Sequence, residues 1–297
     1  MIQVAKIGYA GFNTPDVEAM LAYYTQVLGF TLVERGDDGA AYLRLGADHH
    51  TIALYPATER RLRHTALQIG KSQSLKEVEQ ELREQGVRVE LQTDAQPGIP
   101  ELLEFADPEG NSLHLYATMQ EVDQRFPQQG IVPEKLSHVA MAVHDVKKTA
   151  DFYQQVLGFR VSDWIEDFFV FLRCGPDHHT VNFLQSNYQK MHHIAFQLED
   201  WGQVQRTCDH LAKHSIPLLW GPGRHGPGHN IFTYHHDPDK HIVELSTQLD
   251  LMLSEDLGYF EPRPWHEDVP QRPKVWQASK AMNFWGPLPA PEFMTLD

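Results

Sequence analysis

A chain of 297 residues with 41% apolar content carries enough material for two ordinary domains with cores of their own, which excludes disorder as the default. Its 25 basic and 40 acidic residues leave a formal charge of −15 without a Lys/Arg cluster, which argues against a nucleic-acid surface and favours a small neutral ligand over an anion. The apolar runs are short and interrupted, so no membrane span or secretion signal is expected, and the two cysteines, Cys174 and Cys208, give no disulfide framework and suit a reducing cytoplasm.

In chain order, a strand-like pattern starts at the N-terminus. Thr14 as cap, Pro15 at the first helical position and Gly29 as stop then predict a helix. Val27-Leu28-Gly29-Phe30 recurs as Val156-Leu157-Gly158-Phe159, an offset of 156 − 27 = 129. Asp48-His49-His50-Thr51 returns as Asp177-His178-His179-Thr180, and His64-Thr65-Ala66-Leu67-Gln68 as His193-Ile194-Ala195-Phe196-Gln197, both at the same offset. Asp107-Pro108-Glu109 is answered by Asp237-Pro238-Asp239. Landmarks in one order, three at an offset of 129 and the last at 237 − 107 = 130, identify a tandem duplication.

The second copy reads most clearly. Leu136 to Val143 is a buried strand, and Asp145 caps a helix carrying Val146, Ala150, Tyr153 and Leu157 at helical spacing until Gly158. Strands follow at Val170 to Arg173 and Thr180 to Leu184. The pattern then restarts with a strand from His192 to Leu198, a helix from Asp200 to His214, and strands near Ile231 and Ile242. Each copy is thus two strand–helix–strand–strand–strand modules, an α+β fold. The expected organisation is a first domain at 1–119, a linker at 120–132, a second domain at 133–250, and an arm at 251–297 that is rich in proline and tryptophan and packs on a domain or a neighbouring subunit.

The 18 histidines need an explanation. His138 lies mid-strand, His193 heads the matching strand of the next module, and Glu244 interrupts the apolar strand Ile242-Val243-Glu244-Leu245-Ser246. A lone strand histidine is usually a hydrogen-bonded core residue, but a carboxylate in an apolar strand is costly to bury unless it meets a cation. Two histidines and one carboxylate on one face are the usual non-haem iron(II) set. The first copy has Tyr9, His64 and His114 at these places and is expected to serve as scaffold without the metal.

The duplicated modules, the strand-borne His138, His193 and Glu244, and the segment around Arg224-His225-Gly226 resemble the type I extradiol dioxygenases of the vicinal oxygen chelate superfamily, catechol 2,3-dioxygenase being the type enzyme. The resemblance covers roughly residues 1 to 250. It implies incompletely closed, mainly antiparallel barrels; iron(II), or manganese(II) on the same ligands; a catecholic substrate and dioxygen; and a homo-oligomer, a tetramer or larger. It also implies that His179 is the acid–base group and that His225 and Tyr234, nine residues apart, aim at substrate. Thr233 and Lys240 depart from the family pattern and bear on the substrate more than on the reaction. Two alternatives keep the fold: a zinc-, nickel- or cobalt-dependent glyoxalase- or epimerase-like isomerase, which tends to use a second glutamate or a fourth ligand, and a metal-free drug-binding protein. His192, His229, His235, His236 and His241 receive no role, and strand alternation turns His192 and His241 away from the ligand face.

Overall fold

The computed structural model describes residues 1–123, 129–254, 259–260 and 272–295. Within the linker, 124–128 lie outside the described residues; within the arm, so do 255–258, 261–271 with Pro262 and Trp265, and 296–297.

The first copy runs β1 (Val4–Thr14), α1 (Val17–Ala22), β2 (Thr31–Arg35), β3 (Ala41–Arg44), β4 (Ile52–Pro56), β5 (Arg61–Ile69), α2 (Leu75–Glu84), β6 (Val89–Gln96), β7 (Ile99–Ala106) and β8 (Ser112–Tyr116). The second repeats it as β9 (Lys135–Val143), α3 (Val146–Gln155), β10 (Arg160–Ile165), β11 (Phe169–Arg173), β12 (Val181–Gln185), β13 (Lys190–Gln197), α4 (Trp201–Lys213), β14 (Trp220–Arg224), β15 (Ile231–His236) and β16 (Ile242–Thr247). The arm adds β17 (Met252–Ser254), β18 (Tyr259–Phe260), β19 (Lys274–Trp276), α5 (Ala278–Ala281) and α6 (Pro291–Thr295). The molecule therefore holds two tandem α+β domains.

The first sheet has the order β2-β3-β4-β1-β5-β8-β7-β6, and the second β14-β15-β16-β13-β9-β12-β11-β10-β19. Each curls into a half-barrel left open at its edge strands. The first strands of the two modules pair antiparallel at the centre, β1 with β5 and β9 with β13, and each pairs in parallel with the last strand of its own module. The remaining in-sheet pairs of the two copies are antiparallel. The central strand β9 is buried along almost its whole length because one face lies under the helices and the other lines the inside of the curl.

Helix starts follow side-chain chemistry. Asp145 accepts the Lys148 N–H at 2.9 Å, and α3 then buries Val146, Thr149, Ala150 and Tyr153 at one face. In the first copy the expected Thr14 cap is displaced. Thr14 remains the last residue of β1, paired with Pro56, and Asp16 caps α1 by accepting the Ala19 N–H at 2.9 Å. The strand ladder holds Thr14 in extended geometry, so the cap falls two residues later. Past its sixth residue α1 widens into a π-helical turn over Tyr23–Val27, which Gly29 ends at φ +80°.

One apolar core crosses both copies. Phe30 of the first packs edge-on to Phe196 of the second, with ring centroids 5.4 Å apart. Polar contacts sit beside this core: Tyr23 Oη meets His235 Nε2 at 2.7 Å, and the His241 ring lies 5.1 Å from that of Phe12. Two of the histidines without an expected role therefore join the domains. The described arm lies on the second copy, where β19 adds to the edge of β10 in parallel and Trp220 Nε1 donates to Pro287 O at 2.9 Å. Among the described residues no helix is long and apolar enough to cross a membrane.

Candidate metal centre and its cavity

The second sheet's register brings three donors to one point. Ala195 on β13 pairs with His138 on β9 and with Glu244 on β16, and directly paired residues present their side chains on the same face. His193, two residues before Ala195, shares that face. The small, fully buried Ala195 thus sits at the centre of a ring formed by His138, His193 and Glu244. In the first copy Ala66 holds the same place between Tyr9 and His114, with His64 two residues before it.

His138 Nε2 and His193 Nε2 lie 3.1 Å apart, and each is 3.2 Å from Glu244 Oε2. Three donors on one face of an octahedron, about 2.1–2.2 Å from a common ion, stand roughly 3.0–3.1 Å apart, against about 3.4 Å for tetrahedral ligands. The observed triangle fits the facial arrangement. Among the described residues this is the one group of histidines, cysteines and carboxylates close enough to hold a metal ion.

The protonation states agree with that fit. Burial opposes ionisation of Glu244, but its hydrogen bonds and charge interactions with His138 and His193 outweigh burial and hold the carboxyl well below the usual range. Burial, only partly opposed by Glu244, lowers His193, and burial with the neighbouring His138 and His178 pushes His179 well below the imidazole range. Bound as two neutral imidazoles and one carboxylate, the three donors would leave a divalent ion with a net charge of +1.

The outer nitrogens of both imidazoles are held by β-bulges. Ser137 and His192 are the extra residues where the β9–β13 register slips, and such residues break the side-chain alternation. Ser137 Oγ lies 3.2 Å from His138 Nδ1 and His192 Nδ1 lies 2.8 Å from His193 Nδ1, so with a metal in place each outer nitrogen has a partner for its proton and each inner nitrogen can give its lone pair to the ion. The expectation that His192 faces away is therefore corrected: the bulge turns it into the cavity wall. His241, by contrast, hydrogen-bonds Asp237 and takes no part in the cavity. His229 likewise pairs with Asp250 at 2.6 Å.

Above the three donors lies a cavity of about 90 Å³. Seating one water takes roughly 10–15 Å³, so there is room for something of the order of a single ring. His179 lines it, with its ring centroid 4.3 Å from that of His138. Tyr234, paired with Glu244 across β15 and β16, donates to Glu244 Oε2 at 2.9 Å and lies 3.0 Å from His225 Nε2. His225 Nδ1 donates to Met282 O at 2.7 Å, so Nε2 is an acceptor, and burial lowers this imidazole to about 4. Burial and then the Glu244 charge raise the Tyr234 phenol well above its ordinary value.

Sequence reasoning passed over several cavity residues. Asn230 Nδ2 donates to Glu244 Oε1 at 2.9 Å and fixes the carboxylate plane. Asn182 on β12 leaves a buried Oδ1 without a partner. Phe168, Phe169 and Phe171 form an apolar wall, and Met282 and Phe293 of the arm form the roof. An asparagine in a strand or a phenylalanine in a proline-rich tail carries no signal of its own; only the three-dimensional register shows these roles.

A half-open pair of duplicated barrels with a facial His-His-Glu set in one copy defines a class. The chain belongs to the Glyoxalase/Bleomycin resistance protein/Dioxygenase superfamily, whose profile matches residues 6–115 and 135–245. It is 24% identical over 311 residues to the manganese-dependent 2,3-dihydroxybiphenyl 1,2-dioxygenase of Geobacillus genomosp. 3, covering 96% of this chain and 97% of that one. It is 32% identical over 156 residues to metapyrocatechase 2 of Cupriavidus necator, covering 48% of each. In three dimensions it is similar to the Mn(II)-bound glyoxalase of Novosphingobium aromaticivorans, with a TM-score of 0.85 and 27% identity over 99% of this chain and 94% of that one. It has the fold of homoprotocatechuate 2,3-dioxygenase of Brevibacterium fuscum, with a TM-score of 0.84 and 23% identity over 99% and 92% of the two chains.

Proposed function

We propose that His138, His193 and Glu244 hold iron(II) or manganese(II) and that the cavity above them takes a catecholic ring, which dioxygen opens beside the diol. The chain is an extradiol ring-cleavage dioxygenase acting in the breakdown of aromatic compounds, as the names of its dioxygenase relatives indicate. The observation that carries this reading is the buried 3.1–3.2 Å triangle of two imidazole nitrogens and one carboxylate oxygen opening onto an apolar cavity.

When bound, the ion supplies Lewis acidity and a route for electrons between diol and dioxygen. The protein supplies the rest. The phenylalanine wall and the roof exclude water and hold the ring. His225 Nε2, its other nitrogen committed to Met282, accepts a hydrogen bond from a substrate hydroxyl or from Tyr234. Tyr234 has one phenolic proton and two acceptors, Glu244 and His225, and turns it toward the substrate oxygen as the diol loses its proton. His179, neutral in its buried setting, takes a proton from the substrate diol and returns it when the ring opens.

In this reading residues 133–250 are the catalytic domain, 1–119 the metal-free partner domain, 120–132 the linker and 251–297 the arm that roofs the cavity. The exposed Val275, Phe284, Trp285 and Leu288 of the arm favour assembly into a homo-oligomer, a tetramer or larger, which light scattering on the purified protein measures. The two free thiols, Cys174 and Cys208, suit the cytoplasm.

The test is anaerobic loading with iron(II) or manganese(II), followed by a panel of catechols with oxygen uptake and the yellow ring-fission product as readouts. Oxygen uptake matched to product is expected. Full metal occupancy with no oxygen uptake on any catechol, and isomerisation of an α-oxo aldehyde adduct instead, sinks the reading.

A further inference from the structure

Behind His179 lies a set of groups that the reaction as described does not use. Asp163 on β10 has a side chain only 5% exposed. Its Oδ1 accepts the Lys274 N–H at 2.8 Å; its Oδ2 accepts the Trp276 indole N–H at 2.6 Å and lies 3.1 Å from His178 Nε2. His178 Nδ1 in turn lies 2.9 Å from His179 Nδ1. A backbone amide and an indole can only donate, so both oxygens of Asp163 are acceptors and His178 must give it the Nε2 proton. In a neutral His178 the proton on Nε2 leaves Nδ1 a bare lone pair. It therefore accepts from His179 Nδ1–H, and the nitrogen left to His179 for the cavity is an unprotonated Nε2.

We infer that Asp163 and His178 are positioning residues that fix His179 in the tautomer whose Nε2 is ready to take a proton, and that Trp276 of the arm completes the set by sealing Asp163 from water. This rests on the reading of His179 as the acid–base group.

The first copy shows which part of the device the two copies share and which part is special to the second. Glu34, His49 and His50 stand at the same offset, 163 − 34 = 178 − 49 = 179 − 50 = 129. There His49 Nδ1 and His50 Nδ1 are 3.2 Å apart, and His49 Nε2 is 3.4 Å from Glu34 Oε2. The side chain of Glu34 is 49% exposed, and the partners of Asp163, namely β19 and its tryptophan, are supplied by the arm to the second copy alone among the described residues. The arm tightens the relay where a cavity and three metal donors lie in front of it, and the relay stays loose where they do not.

The experiment reads tautomers directly. In full-length, metal-free protein labelled with 15N-histidine, the long-range 1H–15N spectrum separates protonated from bare ring nitrogens, and the His179 signals are assigned by their loss in His179→Phe. The expected result is a bare Nε2 on His179 in the unsubstituted protein. In Asp163→Asn combined with Trp276→Phe, which removes the indole donor at Oδ2, the amide offers His178 a donor, so the proton on His179 moves to Nε2; Trp276→Phe alone keeps the carboxylate and the original tautomer. On the metal-loaded enzyme, Asp163→Asn is expected to lower kcat by about tenfold or more while metal content and KM stay within about twofold, and to add nothing in a His179→Phe background. His178→Gln, whose amide oxygen still accepts from His179, retains more turnover than His178→Phe. A protonated Nε2 in the unsubstituted protein, an unmoved tautomer in the Asp163→Asn, Trp276→Phe double variant, or an equal loss from Asp163→Asn in the His179→Phe background overturns the inference. Absence of turnover by the unsubstituted enzyme would instead strike the functional reading, and the spectra would still decide the tautomer.

Discussion

Ala195 is the residue on which the geometry of the centre turns, because it pairs with His138 and Glu244 and lies two residues after His193 on the same strand. A larger side chain there enters the space between His138 and Glu244. Ala195→Leu is expected to leave a folded protein that binds no metal, measured by metal analysis beside circular dichroism. Removing a donor acts on the same readout: His138→Ala or Glu244→Ala is expected to abolish metal retention. His179→Phe keeps the metal and lowers kcat by about 10²–10⁴-fold, the usual range for a lost acid–base group. Equal metal loss in all three variants contradicts the division of roles. Of these residues, Glu244 stands out in the bare sequence because a carboxylate in an apolar strand asks for a cation. Asn230 does not stand out, because its hydrogen bond to Glu244 depends on how the loop before β15 folds back.

The bulges carry the next level of meaning. Alternation along a strand makes His138, His193 and Glu244 legible as a set, and the same rule misplaces His192, because a bulge inserts one residue without any mark in the residue types. The slips recur in the first copy at Gly8 and Arg63, the counterparts of Ser137 and His192. The kinks therefore belong to the duplicated unit, and in the second copy they carry Ser137 and His192, which contact the outer nitrogens of His138 and His193. Losing an outer hydrogen bond of this kind typically weakens metal affinity by about 10–100-fold. His192→Ala is expected to do so, in a competition titration against a chelator of known affinity; an unchanged affinity means the His192–His193 contact does not orient the ligand. The displaced helix cap has a similar origin. Thr14-Pro15 reads as a helix start, but pairing to β4 keeps Thr14 in the sheet and passes the cap to Asp16. The arm was legible only as a segment too rich in tryptophan to stay in water. Its contacts with Asp163 and the cavity follow no period that a sequence pattern would display.

Across the whole molecule, the two copies share one core and lock at Tyr23–His235 and Phe30–Phe196. Repetition at a fixed offset made the duplication readable, whereas the docking of one copy on the other depends on side chains that are unlike in the two halves. Buried histidines, His235 at the lock and His50 within the first copy, give the fold a pH signature. Burial lowers His235 and His50 to about 3, so the folded protein keeps both neutral where the unfolded chain takes up protons near the ordinary value of about 6.5. The unfolded state then binds more protons between those values. Stability from this source is full above about pH 6.5 and falls as the pH drops toward 3, by about 1.4 kcal/mol per pH unit for each such group. Denaturant unfolding of the metal-free protein from pH 7.5 to 5 is expected to show this slope, and His235→Gln is expected to flatten it by about one group's share. A profile that stays level until carboxylates titrate removes these histidines from the account.

Ala66 and Ala195 hold matching places in the two halves, and that gives the molecule an unusual property for an experimenter. Any perturbation aimed at the working centre has its own blank in the same polypeptide: enlarging Ala195 should empty the metal, while the same enlargement at Ala66 should disturb only packing around Tyr9 and His114. Damage to the fold and damage to the chemistry, which most single-centre enzymes confound, are separated here by the chain's own second copy of the frame.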